Sequence, residues 1–172
     1  MFSLLQASPE TKTQPSKREL AINAYSLLYS LLSEEKDLEK ILAITRERKE
    51  IDPLIREISA ASLEALEILD RLQKNEPSIR FDQDLLPPGE RETREIISKT
   101  KSKDLLTTSG EKFSVVLLLS QSEALTYASH LASVASKNDE NLDRARKVDK
   151  IAERFEKLNL KVTQLLTVKN PH

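Results

Sequence analysis

Apolar residues recur along most of this chain at spacings of three and four, the period of one face of an α-helix. The most regular run is Ile51, Ile55, Ile58, Ser62, Ala65, Leu69 and Leu72, a four-three alternation that approaches a coiled-coil seam. Leu54, Ala61, Leu66 and Ile68 widen it into the face of a bundle helix. Asp52-Pro53 reads as an N-cap followed by proline in the first helical position, and the helix should end near Asn75. Upstream, Leu20, Ala24, Leu27, Leu28, Leu31, Leu38, Ile41 and Leu42 define a first helix. Its start falls at Ser16, with Glu19 placed to complete a capping box, and it runs into the charged stretch Arg46 to Glu50.

Downstream, residues 76 to 90 carry three of the prolines and cannot form regular helix. Ile79, Phe81, Leu85 and Leu86 make this connection apolar enough to lie down on the core. A charged helix follows from Arg91 to about Leu106, and Thr107-Thr108-Ser109-Gly110 interrupts it with hydroxyls that can cap the next one. That next helix, Glu111 to about Lys137, is apolar on two faces, as a central helix covered on both sides would be. One stripe is Phe113, Val116, Ser120, Ala124, Tyr127, Leu131 and Val134. The other is Val115, Leu118, Ser122, Leu125, Ser129 and Ala132.

Asn138-Asp139 ends it. The last helix, about Glu140 to Leu166, buries Leu142, Ala145, Val148, Ala152, Phe155, Leu158, Val162 and Leu165. Arg144, Lys147, Lys150, Glu153 and Lys157 lie opposite as solvated surface. There is no alternating strand pattern. The expected fold is all-α: an up-down four-helix bundle over residues 16–166, with a Pro-rich crossover and a short extra helix between helices two and three. Residues 1–15 and 167–172 are tails. Met1 to Ala7 is an apolar start that reads as an ordinary terminus, with the end of a clipped secretory signal as the alternative.

Composition removes several kinds of chemistry. The 172 residues include no Cys, 2 Gly and 2 His. Disulfides, thiol nucleophiles and cysteine metal sites are excluded, and so are glycine-rich phosphate loops. A net charge of -1 argues against a dedicated nucleic-acid binder. The local basic run Lys99, Lys101 and Lys103 is interleaved with Glu90, Glu92, Glu95 and Asp104, and reads as a solvated helix face. No stretch of about 18 apolar residues is present to span a membrane.

Helical bundles commonly acquire chemistry by turning Glu and His into the core, as in di-metal carboxylate proteins. Here Tyr127 stands three residues before His130 and Lys169 three before His172, so neither histidine completes a Glu-x-x-His motif. His130 reads as a polar residue on a helix flank. Glu34 and Glu35 fall where the first helix's stripe expects a core residue, and an unpaired buried carboxylate would be costly. Either one of them serves a function, or Ser33 to Asp37 faces water.

From Glu35 onward the order of features resembles a bacterial family of ferritin-like helical bundles of unknown function, whose members are usually labelled predicted outer-membrane or periplasmic proteins. The passages that carry it are Asp37-Leu38-Glu39-Lys40 with Asp52-Pro53-Leu54-Ile55, then Leu85-Leu86-Pro87, then Leu105-Leu106 through Ser109-Gly110, Phe113, Gln121, Glu123, Ala124 and Leu125. The resemblance implies a ferritin-like fold and a periplasmic or otherwise extracytoplasmic setting, with the cytoplasm as the alternative. Family members carry histidines where this chain has Ser62 and Gln121–Ser122, which weakens a metal function.

The expectation is therefore a non-enzymatic bundle without cofactor or metal. It would act by contact with a protein partner or a second copy, or as a structural component of the cell envelope. Val115, Leu118, Leu125 and Ala132 form the candidate contact stripe, unless Leu85, Leu86, Ile96 and Ile97 cover it within the chain. The competing expectation is a metal- or small-ligand-binding protein using Glu34 or Glu35 with Glu64 or Glu123.

Overall fold

The computed structural model describes residues 14–36, 51–81, 86 and 88–169. Five helices account for nearly all of them, and no strand occurs among the described residues. They are α1 (Lys17–Glu35), α2 (Asp52–Asn75), α3 (Pro88–Thr107), α4 (Gly110–Asn138) and α5 (Leu142–Lys169).

Local chemistry sets most of the boundaries. Ser16 caps α1 in a reciprocal capping box: its Oγ accepts from the Glu19 N–H at 3.2 Å, and its own N–H donates to the Glu19 carboxylate at 2.7 Å. α2 begins one residue earlier than the Asp-Pro pair suggests, with Ile51 in the cap position and Asp52 already helical. Between α3 and α4, the Thr107 and Thr108 hydroxyls donate back to the Lys103 and Asp104 carbonyls, ending α3 rather than capping α4. Gly110 opens α4 at φ 64°, a left-handed geometry that glycine adopts without a Cβ clash. Asn141 caps α5, its Oδ1 accepting from the Asp143 and Arg144 N–H groups.

α1 packs on α2 and α4, and α5 packs on the same two helices, so each of these four helices has two neighbours. α3 lies outside this arrangement, on α4. Neighbours run antiparallel. The Ser59 Oγ near the start of α2 donates to the Lys36 carbonyl at the end of α1, while Ser26 of α1 donates to Arg80 beyond the end of α2. Ser122 bonds Asn159 and Ser136 reaches Asp149, setting α5 antiparallel to α4. Glu64 and Glu57 of α2 pair with Arg154 and Lys161 of α5 in the same opposed order.

The core follows the sequence periodicity most closely in α2, where all seven residues of the Ile51–Leu72 seam are buried. Val148, Ala152, Phe155, Leu158 and Val162 of α5 are likewise inside. Leu142 departs from the expected face and is 69% exposed, because it opens the helix beyond the edge of the packed layer. Tyr25, Phe113 and Phe155 are the largest fully buried side chains, and Tyr29 stacks on Phe81 with ring centroids 4.3 Å apart. The expected continuation of the first helix through Leu38, Ile41 and Leu42, with the charged run after it, falls outside the described residues.

Candidate functional site

The last turn of α1 sends its two carboxylates in different directions. Glu34 and Lys36 face water, whereas the Glu35 carboxyl turns inward, with Oε2 fully buried and lacking a hydrogen-bond partner. Burial pushes the Glu35 carboxyl up to about 7; the Gln121 side chain bonded to it and the Lys101 charge pull the other way, and the Glu34 charge adds to the rise. Gln121 is buried in α4, and its Oε1 is also unpartnered. Its amide N–H₂, the only donor on that side chain, is what serves Glu35.

At the same level, Ser59 of α2 is tied to the Lys36 carbonyl, and Ser62, one turn further along, is buried with its Oγ unpartnered. α1, α2 and α4 thus each carry an unsatisfied buried polar atom, and the Glu35–Gln121 and Ser59–Lys36 bonds tie α4 and α2 to the end of α1. Desolvated acceptors of this kind are costly unless a donor reaches them. As a neutral acid, Glu35 is also a proton donor and acceptor near neutral pH.

The residues expected to work with it are elsewhere. Glu64 is on the outer surface, paired with Arg154, whose hydrogen bond holds its carboxyl below the ordinary range. Glu123 is exposed and paired with Lys101 of α3. His130 is exposed on α4. No group of three or more His, Cys, Asp or Glu able to hold a metal ion occurs among the described residues. In the sequence Ser62 stands out as a seam position of α2 and Gln121 as part of the family resemblance, and both as places where the family's histidines are missing, not as partners of Glu35. The Gln121 bond to Glu35 depends on how α1 and α4 align, which periodicity does not encode.

A second polar cluster closes the other end of the core. Asp139, in the turn between α4 and α5, is buried; it accepts from the Tyr25 hydroxyl at 2.5 Å and from two Arg144 nitrogens at 2.5 and 2.6 Å. The Asn141 N–H adds a fourth donor, and Arg144 also approaches Glu76 at 3.7 Å. Burial alone would raise the Asp139 carboxyl. The bonds from Arg144, Tyr25 and Asn141 outweigh it and hold the carboxyl below its usual value. Arg144, expected on the solvated face, is 17% exposed, because the tight turn folds Asp139 back beneath it. A cleft of about 340 Å³ lies over this cluster, with Arg18, Ser78 and Asn138 on its rim. Its charged groups are mutually satisfied, so the arrangement works as a lock joining α1, α2 and α5.

Most of the expected contact stripe lies inside. Leu118, Leu125 and Ala132 are in the core and Val115 is half-buried, on a helix that packs on both α1 and α5. Ile96 and Ile97 are themselves 57% and 47% exposed. α3 buries only Leu105 among its residues, and Leu106 is exposed beside it. The helix is held to α4 largely by polar contacts: Arg94 to the Tyr127 hydroxyl and ring, and Lys101 to Glu123.

Comparisons with protein-family models, with curated proteins and with solved structures each find no match to this chain. No helix among the described residues is long and apolar enough to cross a membrane.

Proposed function

We propose that this chain is a non-enzymatic four-helix bundle of ferritin-like topology that works by protein–protein contact, with α3 as its contact element. The observation that carries the proposal is the outer face of α3. A helix that packs on one neighbour and leaves Ile96 and Ile97 to solvent contributes little to the core. Contiguous exposed apolar side chains rimmed by polar and charged residues mark interaction surfaces, and Ile96 and Ile97 are adjacent. The topology is supported by antiparallel neighbours, by α2 and α4 running in the same direction, and by α3 in the connection between them. An extracytoplasmic setting belongs to the same proposal and rests on the family resemblance. Cell fractionation against periplasmic and cytoplasmic markers tests it.

The contact reading is tested by placing a photo-activated cross-linking residue at Thr100, on the exposed face of α3, and at Lys150, on the exposed face of α5. A discrete adduct from position 100 and none from position 150 is expected in the native cell. Equal or absent labelling at both positions contradicts the reading.

A second reading is favoured by the unpartnered Glu35, Gln121 and Ser62 atoms: a small hydrogen-bonding ligand, or a metal ion, held in the core by Glu35. Elemental analysis of protein purified without chelators tests the metal version, which requires stoichiometric iron, manganese or zinc.

A further inference from the structure

The exposed face of α3 has an order that matches itself. Glu92, Ile96, Lys99 and Lys103 succeed one another at spacings of four, three and four, so they form one stripe along the helix. All four are exposed. The stripe is acidic at its N-terminal end, apolar at its centre and basic at its C-terminal end. Beside it runs a second exposed stripe, Thr93, Ile97 and Thr100, with β-branched residues on both sides of the isoleucine. The first stripe is centred between Ile97 and Ser98 and the second between Ile96 and Ile97, both close to the midpoint of Pro88–Thr107.

We infer that the occupant of this face is a second copy of the same chain, with the two α3 helices antiparallel about a two-fold axis passing close to Ile97. The inference rests on the contact reading above and names the partner. An antiparallel copy sets Glu92 of each chain against Lys99 and Lys103 of the other, twice over, and packs the isoleucines together at the axis. This is the isologous geometry that two-fold dimers require. A parallel copy would set Glu92 against Glu92 and lysine against lysine. The charge order therefore selects one orientation and disfavours the other. The Lys99–Glu95 pair within one helix is exposed and 3.8 Å long, and it competes weakly for Lys99.

The size of the face sets the strength of the association. A helix of 20 residues is about 30 Å long and about 10 Å wide, so each copy covers roughly 300 Å². A stable dimer covers about 800 Å² per partner. The pairing is accordingly reversible, favoured by concentration and weakened by salt.

Charge reversal with mixing is the test. Glu92→Lys makes the whole stripe basic, and Lys99→Glu with Lys103→Glu makes it acidic; these exposed sites leave the helical circular dichroism unchanged. By sedimentation equilibrium, the natural chain is expected to show a salt-sensitive monomer–dimer equilibrium, each variant alone to be monomeric, and the equimolar mixture to recover dimer. A natural chain that stays monomeric at every concentration overturns the proposal. So does a mixture no more associated than either variant alone. If the natural chain is monomeric while position 100 cross-links to a different protein, self-pairing fails and the contact reading stands. If neither association nor cross-linking occurs, both fail.

Discussion

Replacing Glu35 with Gln should stabilise the protein at neutral and alkaline pH and leave it nearly unchanged in acid. The carboxyl is pushed up to about 7 in the folded chain from an ordinary 4.5. Below about pH 4 it is protonated in both folded and unfolded states and favours neither in a pH-dependent way. Between 4.5 and about 7 the unfolded chain ionises while the folded chain keeps its proton, so stability falls as pH rises. Each pH unit in that window costs about 1.4 kcal/mol, which sets an upper limit of about 3 kcal/mol. Partial exposure of the residue reduces this. Gln reproduces the neutral acid's shape and hydrogen-bond donor and does not titrate. Urea denaturation followed by far-ultraviolet circular dichroism should therefore show the two curves coinciding in acid, separating between pH 4.5 and about 7 and staying a constant distance apart at higher pH, with unchanged m-values. A stability difference that stays constant with pH would refute the reasoning, because it would mean that Glu35 titrates in water.

Other substitutions probe separate parts of the account. Tyr25→Phe removes the hydroxyl that serves the buried Asp139 carboxylate and should cost about 1.5–3 kcal/mol in denaturant titration; a loss below about half a kcal/mol would mean that Arg144 alone satisfies Asp139. The depressed Asp139 carboxyl adds stability that is present above its ordinary 3.8 and lost as pH falls through its lower folded value, so Asp139→Asn should flatten the acid limb of the stability profile. Ser62→Ala deletes a buried hydroxyl without a partner and should be neutral within about 0.5 kcal/mol, or stabilising, whereas a larger loss would show that the hydroxyl is satisfied. Gly110→Ala should cost about 1–2 kcal/mol at its left-handed φ. Gly89→Ala, inside α3 with open space around it, should be neutral or stabilising, and the contrast is measured by thermal unfolding.

Some of this was readable before the structure. The α2 seam is a pure periodicity, and its seven residues are buried because a helix can hide them only along one line. The Ser16–Glu19 capping box is a local chemical pattern, complete within four residues. The candidate sites depend on non-local alignment. Glu35 meets Gln121 across 86 positions only because α1 runs antiparallel to α4. Arg144 lies on the polar side of its own helix, yet the turn before it folds a buried carboxylate into its reach. The second apolar stripe of α4 reads equally well as core or as surface, since periodicity shows that a face is apolar without showing what covers it. Exposure of Ile96 and Ile97 is a matter of packing alone.

The claim that α3 is presented for contact is tested most directly by moving the photo-activated cross-linker along that helix, one position at a time, in the native cell. Adducts are predicted at 92, 96, 99, 100 and 103, and not at 94, 101 or 105, the positions turned toward α4. Labelling without helical periodicity, or labelling confined to the α4 side, would contradict the account.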